Sequence, residues 1–154
     1  MSEEKVLTKE IAEQFLADAK SVELSLFTTI EDAAAEILTK EKTCLGLDGL
    51  TKISPIAAKY LANSEAGEFG LNGLTTLEEG VAAALSNYKG NLYLEGLIEI
   101  SDKDAESLSN RREFVSFDAL KTISEPAARS LAKLWNTGSF QASSDIEEKI
   151  SEYV

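Results

Sequence analysis

The chain has 154 residues, 44% of them apolar, with 15 Lys and Arg against 27 Asp and Glu for a formal charge of −12. That length and apolarity suffice to bury a core as one domain, and the acidity excludes a general nucleic-acid or anionic-membrane binder, which needs excess Lys and Arg. A single cysteine excludes an intramolecular disulfide framework, and the absence of histidine removes His-based triads and His metal ligands together.

In chain order, the acidic start MSEEKVLTKEIAEQ lacks the basic and apolar regions of a signal peptide. No apolar run approaches the ~20 residues that span a bilayer, so no membrane insertion and a cytoplasmic location are expected. Leu7 is followed by Ile11, Phe15 and Leu16 at helical spacing, with too few residues before it for a full strand. Residues 1–20 therefore read as a helical cap.

Residues 21–136 carry one pattern about five times. Val22-Glu-Leu-Ser-Leu-Phe27, Leu45-Gly-Leu-Asp-Gly-Leu50, Phe69-Gly-Leu-Asn-Gly-Leu74, Leu92-Tyr-Leu-Glu-Gly-Leu97 and Val115-Ser-Phe-Asp-Ala-Leu120 align, and an aliphatic follows each three residues on: Ile30, Ile53, Leu77, Ile100 and Ile123. The same register reaches Leu7 and Ile146, with successive steps of 23, 23, 24, 23, 23 and 23 residues. Inside a unit the period changes from two to about 3.6. Leu45 and Leu47 alternate with Gly46 and Asp48, as a half-buried strand requires; Ala57, Ala58 and Leu61 then form a helical stripe, matched by Ala34, Ala35 and Leu38, by Val81, Ala82 and Leu85, and onward.

Local signals punctuate each unit. Ser54, Ser101 and Ser124 stand where an N-cap is wanted, with Pro55 and Pro126 in the first turns that follow. Asn63, Asn87 and Asn110 follow helix ends, where Asn tolerates the left-handed conformation. Gly49, Gly73 and Gly96 hold the turn after the strand, where a positive φ is expected. Residues 137–154, with Ile146, Ile150 and Val154 at helical spacing, read as a C-terminal cap; disorder is expected only in the first few residues and in part of residues 137–144.

Strands stack about 4.8 Å apart and helices roughly 8–10 Å apart, so a stack of such units must curve. The expected fold is an α/β solenoid: a right-handed arc with a concave parallel sheet, convex helices and a helical cap at each end. The pattern L-x-L-x-G-L-x-x-[IL]-x-x-x-[AV]-[AV]-x-x-L resembles the bacterial leucine-rich repeat superfamily. In particular, Gly49-Leu-Thr-Lys-Ile-Ser-Pro-Ile-Ala-Ala58 is similar to the core of the 23-residue BspA-like repeats. The chain departs from the most familiar form in lacking the Asn of an internal ladder and in its short turn. The resemblance implies a protein–protein interaction scaffold.

No phosphate loop, dinucleotide fingerprint or nucleophile–base pair appears, so neither an enzyme nor a cofactor is expected. Cys44, just before an apolar strand, reads as a buried structural thiol. Asp48, Asn72, Glu95 and Asp118 form one column beside the turn glycines; they read as residues solvating the strand ends, or as an oxygen-lined row for Ca²⁺ or a basic peptide, although Ser25 breaks the row. Acids in first helical turns (Glu31-Asp32, Glu78-Glu79, Asp102 with Asp104, Glu125, Glu147-Glu148) oppose the helix dipole. They make one edge acidic and leave a more basic opposite edge with Lys40, Lys42, Lys89, Arg111, Arg112 and Lys133. On that edge Tyr88, Arg111, Arg112 and Trp135 have the composition of a docking site, against the alternatives that Trp135 folds under Phe140 and that the arginines satisfy helix C-termini. Tyr93, Glu95 and Asp118 mark the competing concave face. The expected function is a non-enzymatic module that binds an unidentified protein or peptide and no nucleic acid. The alternatives are a structural or envelope-associated cation-binding protein and, more remotely, an enzyme of unfamiliar type.

Overall fold

The computed structural model describes residues 4–154, so the expectation of disorder at the very start falls partly on residues 1–3, outside that range. The elements run β1 (Val6–Leu7), α1 (Lys9–Ala17), β2 (Thr29–Ile30), α2 (Asp32–Leu38), β3 (Cys44–Gly46), α3 (Pro55–Leu61), β4 (Glu68–Gly70), α4 (Val81–Leu85), β5 (Asn91–Tyr93), α5 (Asp102–Leu108), β6 (Val115–Phe117), α6 (Glu125–Trp135), β7 (Phe140–Ala142) and α7 (Ser144–Ser151). The chain is α/β. Strands β3 to β7 form one sheet in chain order, every neighbouring pair parallel, with Leu45↔Phe69, Phe69↔Leu92, Leu92↔Val115 and Val115↔Phe140 in register. Each helix packs on the next, from α1 on α2 through to α6 on α7.

The two periodicities place the core between sheet and helices. Leu45, Phe69, Leu92 and Val115, with Leu47, Leu71, Leu94 and Phe117 two residues on, are fully buried. So are the helical stripes, among them Ala57, Ala58 and Leu61, and Ala127, Ala128 and Leu131. Alanine at the contact lets a helix lie close to the sheet. The serine caps form: Ser54, Ser101 and Ser124 accept hydrogen bonds from the amides of Ala57, Asp104 and Ala127. Ser54 also donates to Asp32 Oδ1 at 2.6 Å, and Ser124 to Asp102, so two caps tie onto the first turn of the preceding helix. Glu78 and Glu79 are an exception to the acidic first turns. They precede α4, which starts late at Val81 behind Gly80, at φ 92°.

The glycine column has a different cause from the one expected. Gly49, Gly73 and Gly96 do not have positive φ; among the described residues only Gly80 and Gly138 do. A Cβ on Gly73 would collide with the carbonyl oxygen of Asp48 and lie 2.6 Å from that of Leu50. Gly49 would meet the carbonyls of Ser25 and Phe27, and Gly96 those of Asn72 and Leu74. Glycine is there because two backbones touch, one unit apart. Leu26 holds the same column in the first unit and is 52% exposed.

The asparagines also act differently. Asn63, Asn87 and Asn110 are not left-handed, since no non-glycine described residue has positive φ. Instead each Nδ2 donates to a helical carbonyl four residues back, Lys59, Ala83 and Glu106 respectively. The side chain satisfies the end of the helix without any change of backbone hand.

At both ends the expected caps do more. The expected first strand, residues 22–27, is replaced by a 3-10 turn at Leu24–Leu26, where Leu26 N bonds Glu23 O and Phe27 N bonds Leu24 O. This segment lies at the margin of the sheet, and its local bonds stand in for a strand partner. The N-terminal segment supplies β1, whose Leu7 pairs in parallel with Ile30 of β2. A line of unit-to-unit bonds continues there: Thr28 N to Lys5 O, Thr51 N to Thr28 O, Ile98 N to Thr75 O and Lys121 N to Ile98 O, all 2.8 to 3.2 Å. The C-terminal segment is not purely helical either. Its residues Phe140–Ala142 form the fifth strand of the sheet, so the stretch 137–144 is structured.

The steric account of the glycines separates sites that a positive-φ account would not. Gly73→Ala and Gly96→Ala should each destabilise by about 1–3 kcal/mol in urea titration, because the backbone facing them must shift. Gly46→Ala, with nothing within 4 Å of its Cβ, should stay within about 0.5 kcal/mol of the parent.

Candidate functional site

Two surfaces compete, the loop edge after the helices and the sheet face away from them. On the loop edge, Tyr88 and Arg111 are buried, 1% and 3% exposed. Arg111 Nη1 donates to the carbonyls of Leu85 (3.1 Å) and Tyr88 (2.8 Å), and Nη2 to those of Gly90 (2.6 Å) and Phe114 (3.3 Å). Its guanidinium lies 5.7 Å from the centre of the Tyr88 ring. Tyr88 Oη donates to Ala66 O at 2.5 Å, and its ring meets Phe69 edge-on. One unit earlier, Ser64 Oγ donates to Glu41 O. Ser64, Tyr88 and Arg111 thus share one sequence column and one task, fastening each loop to carbonyls of the loop before it.

Two buried side chains cannot greet a partner. The rest of that edge is also partly committed. Trp135, the last residue of α6, packs at a tilt on Phe140 with 6.1 Å between ring centres, and Phe140 in turn lies 6.4 Å from Phe117. Arg112 is exposed, while its carbonyl accepts from Ser139 Oγ. Arg111 was legible as a helix-end ligand; that its neighbour in the Arg-Arg pair would point to water was not.

The opposite face of the sheet is built from the alternate strand positions. Cys44 is exposed, correcting its expected burial: Leu45 points into the core, so Cys44 must point out. Burial, followed by the carboxylates of Glu68, Asp48 and Glu41, raises the Cys44 thiol above its ordinary pKa. Tyr93 is half-buried and packs at a tilt on Phe114, 5.9 Å between ring centres. Phe114 is the aromatic of this face that the repeat pattern alone overlooked, because it immediately precedes its aligned segment.

No family model, curated protein or solved structure matches the chain. Its chemistry is therefore read from these side chains.

The Asp48 column is more than a set of solvating turn residues. Asp48 Oδ1 accepts from Asn72 N and Asn72 Oδ1 accepts from Glu95 N, both at 3.0 Å. Glu95 Oε1 accepts from Ser116 Oγ, and the Asp118 carboxylate from Gln141 Nε2. Each side chain reaches the following unit, and in two cases it holds that unit's own column amide. Asp48 and Asn72 thereby make a short side-chain ladder on the outward face of the sheet, not inside the core. Glu68 makes no such bond. The carboxylates do not converge: among the described residues no three of Cys, Asp and Glu come together to hold a metal ion. No described helix is long and apolar enough to cross a membrane.

Removing the Arg111 clamp takes a donor from four carbonyls; Leu85 O and Phe114 O keep the backbone amides of Tyr88 and Leu92, while Tyr88 O and Gly90 O lose the donor the clamp supplied. Arg111→Ala should cost about 3 kcal/mol in chemical denaturation, against within about 0.5 for Arg112→Ala. Tyr88 yields a pH signature. Burial pushes its pKa up to about 12 despite the opposing pull of Arg111. The unfolded phenol ionises near 10, so between these values the unfolded state binds fewer protons and stability falls as pH rises. Thermal melts across that window should lose stability more steeply in the parent than in Tyr88→Phe.

Proposed function

We propose that this protein is a non-enzymatic interaction module, a right-handed solenoid of leucine-rich-repeat type that docks a protein or peptide on the sheet face. In this reading the sheet lines the concave side of an arc and the helices its convex side. The regular unit-to-unit registration and the difference in spacing between stacked strands and packed helices support that shape. The observation that carries the docking assignment is the different employment of the two surfaces. On the loop edge Tyr88 and Arg111 are spent on internal carbonyls and Trp135 packs on Phe140, whereas on the sheet the half-buried Tyr93 lies among carboxylates of which Asp48, Glu68 and Asp118 are exposed. A half-buried tyrosine braced by a neighbouring ring is the kind of rigid anchor that concentrates binding energy.

The test compares two surfaces with the partner recovered by pull-down from the source cells. Tyr93→Ala should weaken binding by roughly tenfold or more, the loss of about 1.4 kcal/mol or more at an anchor residue. Lys89→Glu/Arg112→Glu, at exposed edge positions, should leave affinity within about threefold. Both variants are first matched to the parent by thermal melting. A partner lost by the edge variant and kept by Tyr93→Ala would move the docking surface to the loops.

A further inference from the structure

We infer that the occupant of the sheet face is an extended, Lys- or Arg-rich segment of a partner protein, held by Asp48, Glu68, Glu95 and Asp118 around Tyr93. This rests on the sheet-face reading above and adds the chemistry of the partner. Its first ground is the sign of the surface. The outward positions of β3 to β6 and the turn residues beside them supply those four carboxylates, and none of them is Lys or Arg. The face is also uncompensated. The ion pairs among the described residues, Lys9–Glu13, Lys42–Glu65, Lys103–Glu79 and Arg129–Glu125, all lie elsewhere.

The second ground is arrangement. A point cation needs several oxygens gathered at one centre, and here the acids are spread over successive strands instead. Asp48 and Asp118 are three strand steps apart, ~14 Å at ~4.8 Å per step. An extended peptide covers that distance in about four residues at ~3.3 Å each, so a chain with basic residues at alternate positions can meet several of these carboxylates at once. The hydrogen bonds already made by Asp48 and Glu95 use one oxygen of each, leaving acceptor capacity for an ammonium or guanidinium.

The third ground is the relief of the face. Gly46 puts no side chain there and has open space where a Cβ would stand, so a peptide backbone can approach β3 closely. Two strands away stands the half-buried Tyr93, whose ring offers a surface on which the stem of a lysine or the plane of an arginine stacks favourably. Nucleic acid is excluded by sign, and an acidic segment would be repelled along the whole row.

The experiment is selection of a displayed library of random dodecapeptides on the full-length protein, followed by fluorescence anisotropy with the enriched peptide as probe. Enriched peptides should carry net positive charge. Their affinity should fall roughly tenfold in Asp48→Asn/Glu95→Gln/Asp118→Asn, which removes three charges of modest individual worth, and should weaken steeply with salt. Tyr93→Ala should weaken them too, with Tyr93→Phe retaining most binding and serving as the check on folding. Peptides that need Tyr93 but carry no excess of Lys and Arg would overturn this inference and leave the sheet-face reading standing. Peptides indifferent to Tyr93, or no enrichment at all, would overturn both.

Discussion

At Gly49, Gly73 and Gly96 the backbone of one turn rests against carbonyl oxygens of the turn before it, with no room for a Cβ between them. That contact sets how near successive units lie at one end of each strand, and the neighbouring bonds presuppose it. Asp48 can reach the amide of Asn72, and Asn72 that of Glu95, only because the turns are in near contact. The same closeness brings Leu47 N within 3.0 Å of Gly70 O and Leu71 N within 2.9 Å of Tyr93 O, so the ladder continues one residue past the strands themselves. A side chain in this column acts on two units at once.

The remaining polar groups follow the same rule of fastening each unit to its neighbour. At helix starts, capping serines donate to aspartates of the preceding helix. At helix ends, Ser64, Tyr88 and Arg111 reach the preceding loop with side chains of increasing length. The Arg111 guanidinium is buried, and desolvation lowers its pKa against the opposing pull of the Glu113 carboxylate, but four carbonyl acceptors replace much of the water it has lost. A polar residue in a repeating column is thereby a joint before it is a surface.

This use of polar groups bears on function by subtraction. Once the residues that join units are set aside, the loop edge retains scattered lysines, Arg112 and the outer part of Trp135, whereas the sheet face retains a tyrosine, a thiol and a row of carboxylates on successive strands. The acids of the first helical turns have a local role at helix N-termini in α2, α5, α6 and α7. The acids of the sheet face have no helix to stabilise. Asp48 and Glu95 serve the ladder with one oxygen each, and Glu68 serves none of it. Their common sign is a property of the face as a whole.

The period of the sequence determined by itself which residues enter the core, because burial in a strand or helix depends on spacing along the chain. Leu45 with Leu47 and Ala57 with Ala58 could be assigned without coordinates, as could the serine caps, whose partners lie three residues away. The parallel order of β3 to β7 was legible for the same reason, since equal steps place equal residues side by side. What only the tertiary structure decided lies about 23 residues away in the chain. Glycine in a turn is compatible with a positive φ or with a touching backbone, and the carbonyl of Asp48, one unit earlier, chooses the second. Arg111 and Arg112 are indistinguishable in sequence, yet one faces four carbonyls and the other faces water. The first unit keeps the pattern but not the strand, because hydrogen bonds local to residues 23–27 satisfy a backbone at the margin of the sheet. Pattern records what a residue needs from its own segment; what it meets in the next one is settled only when the units are stacked.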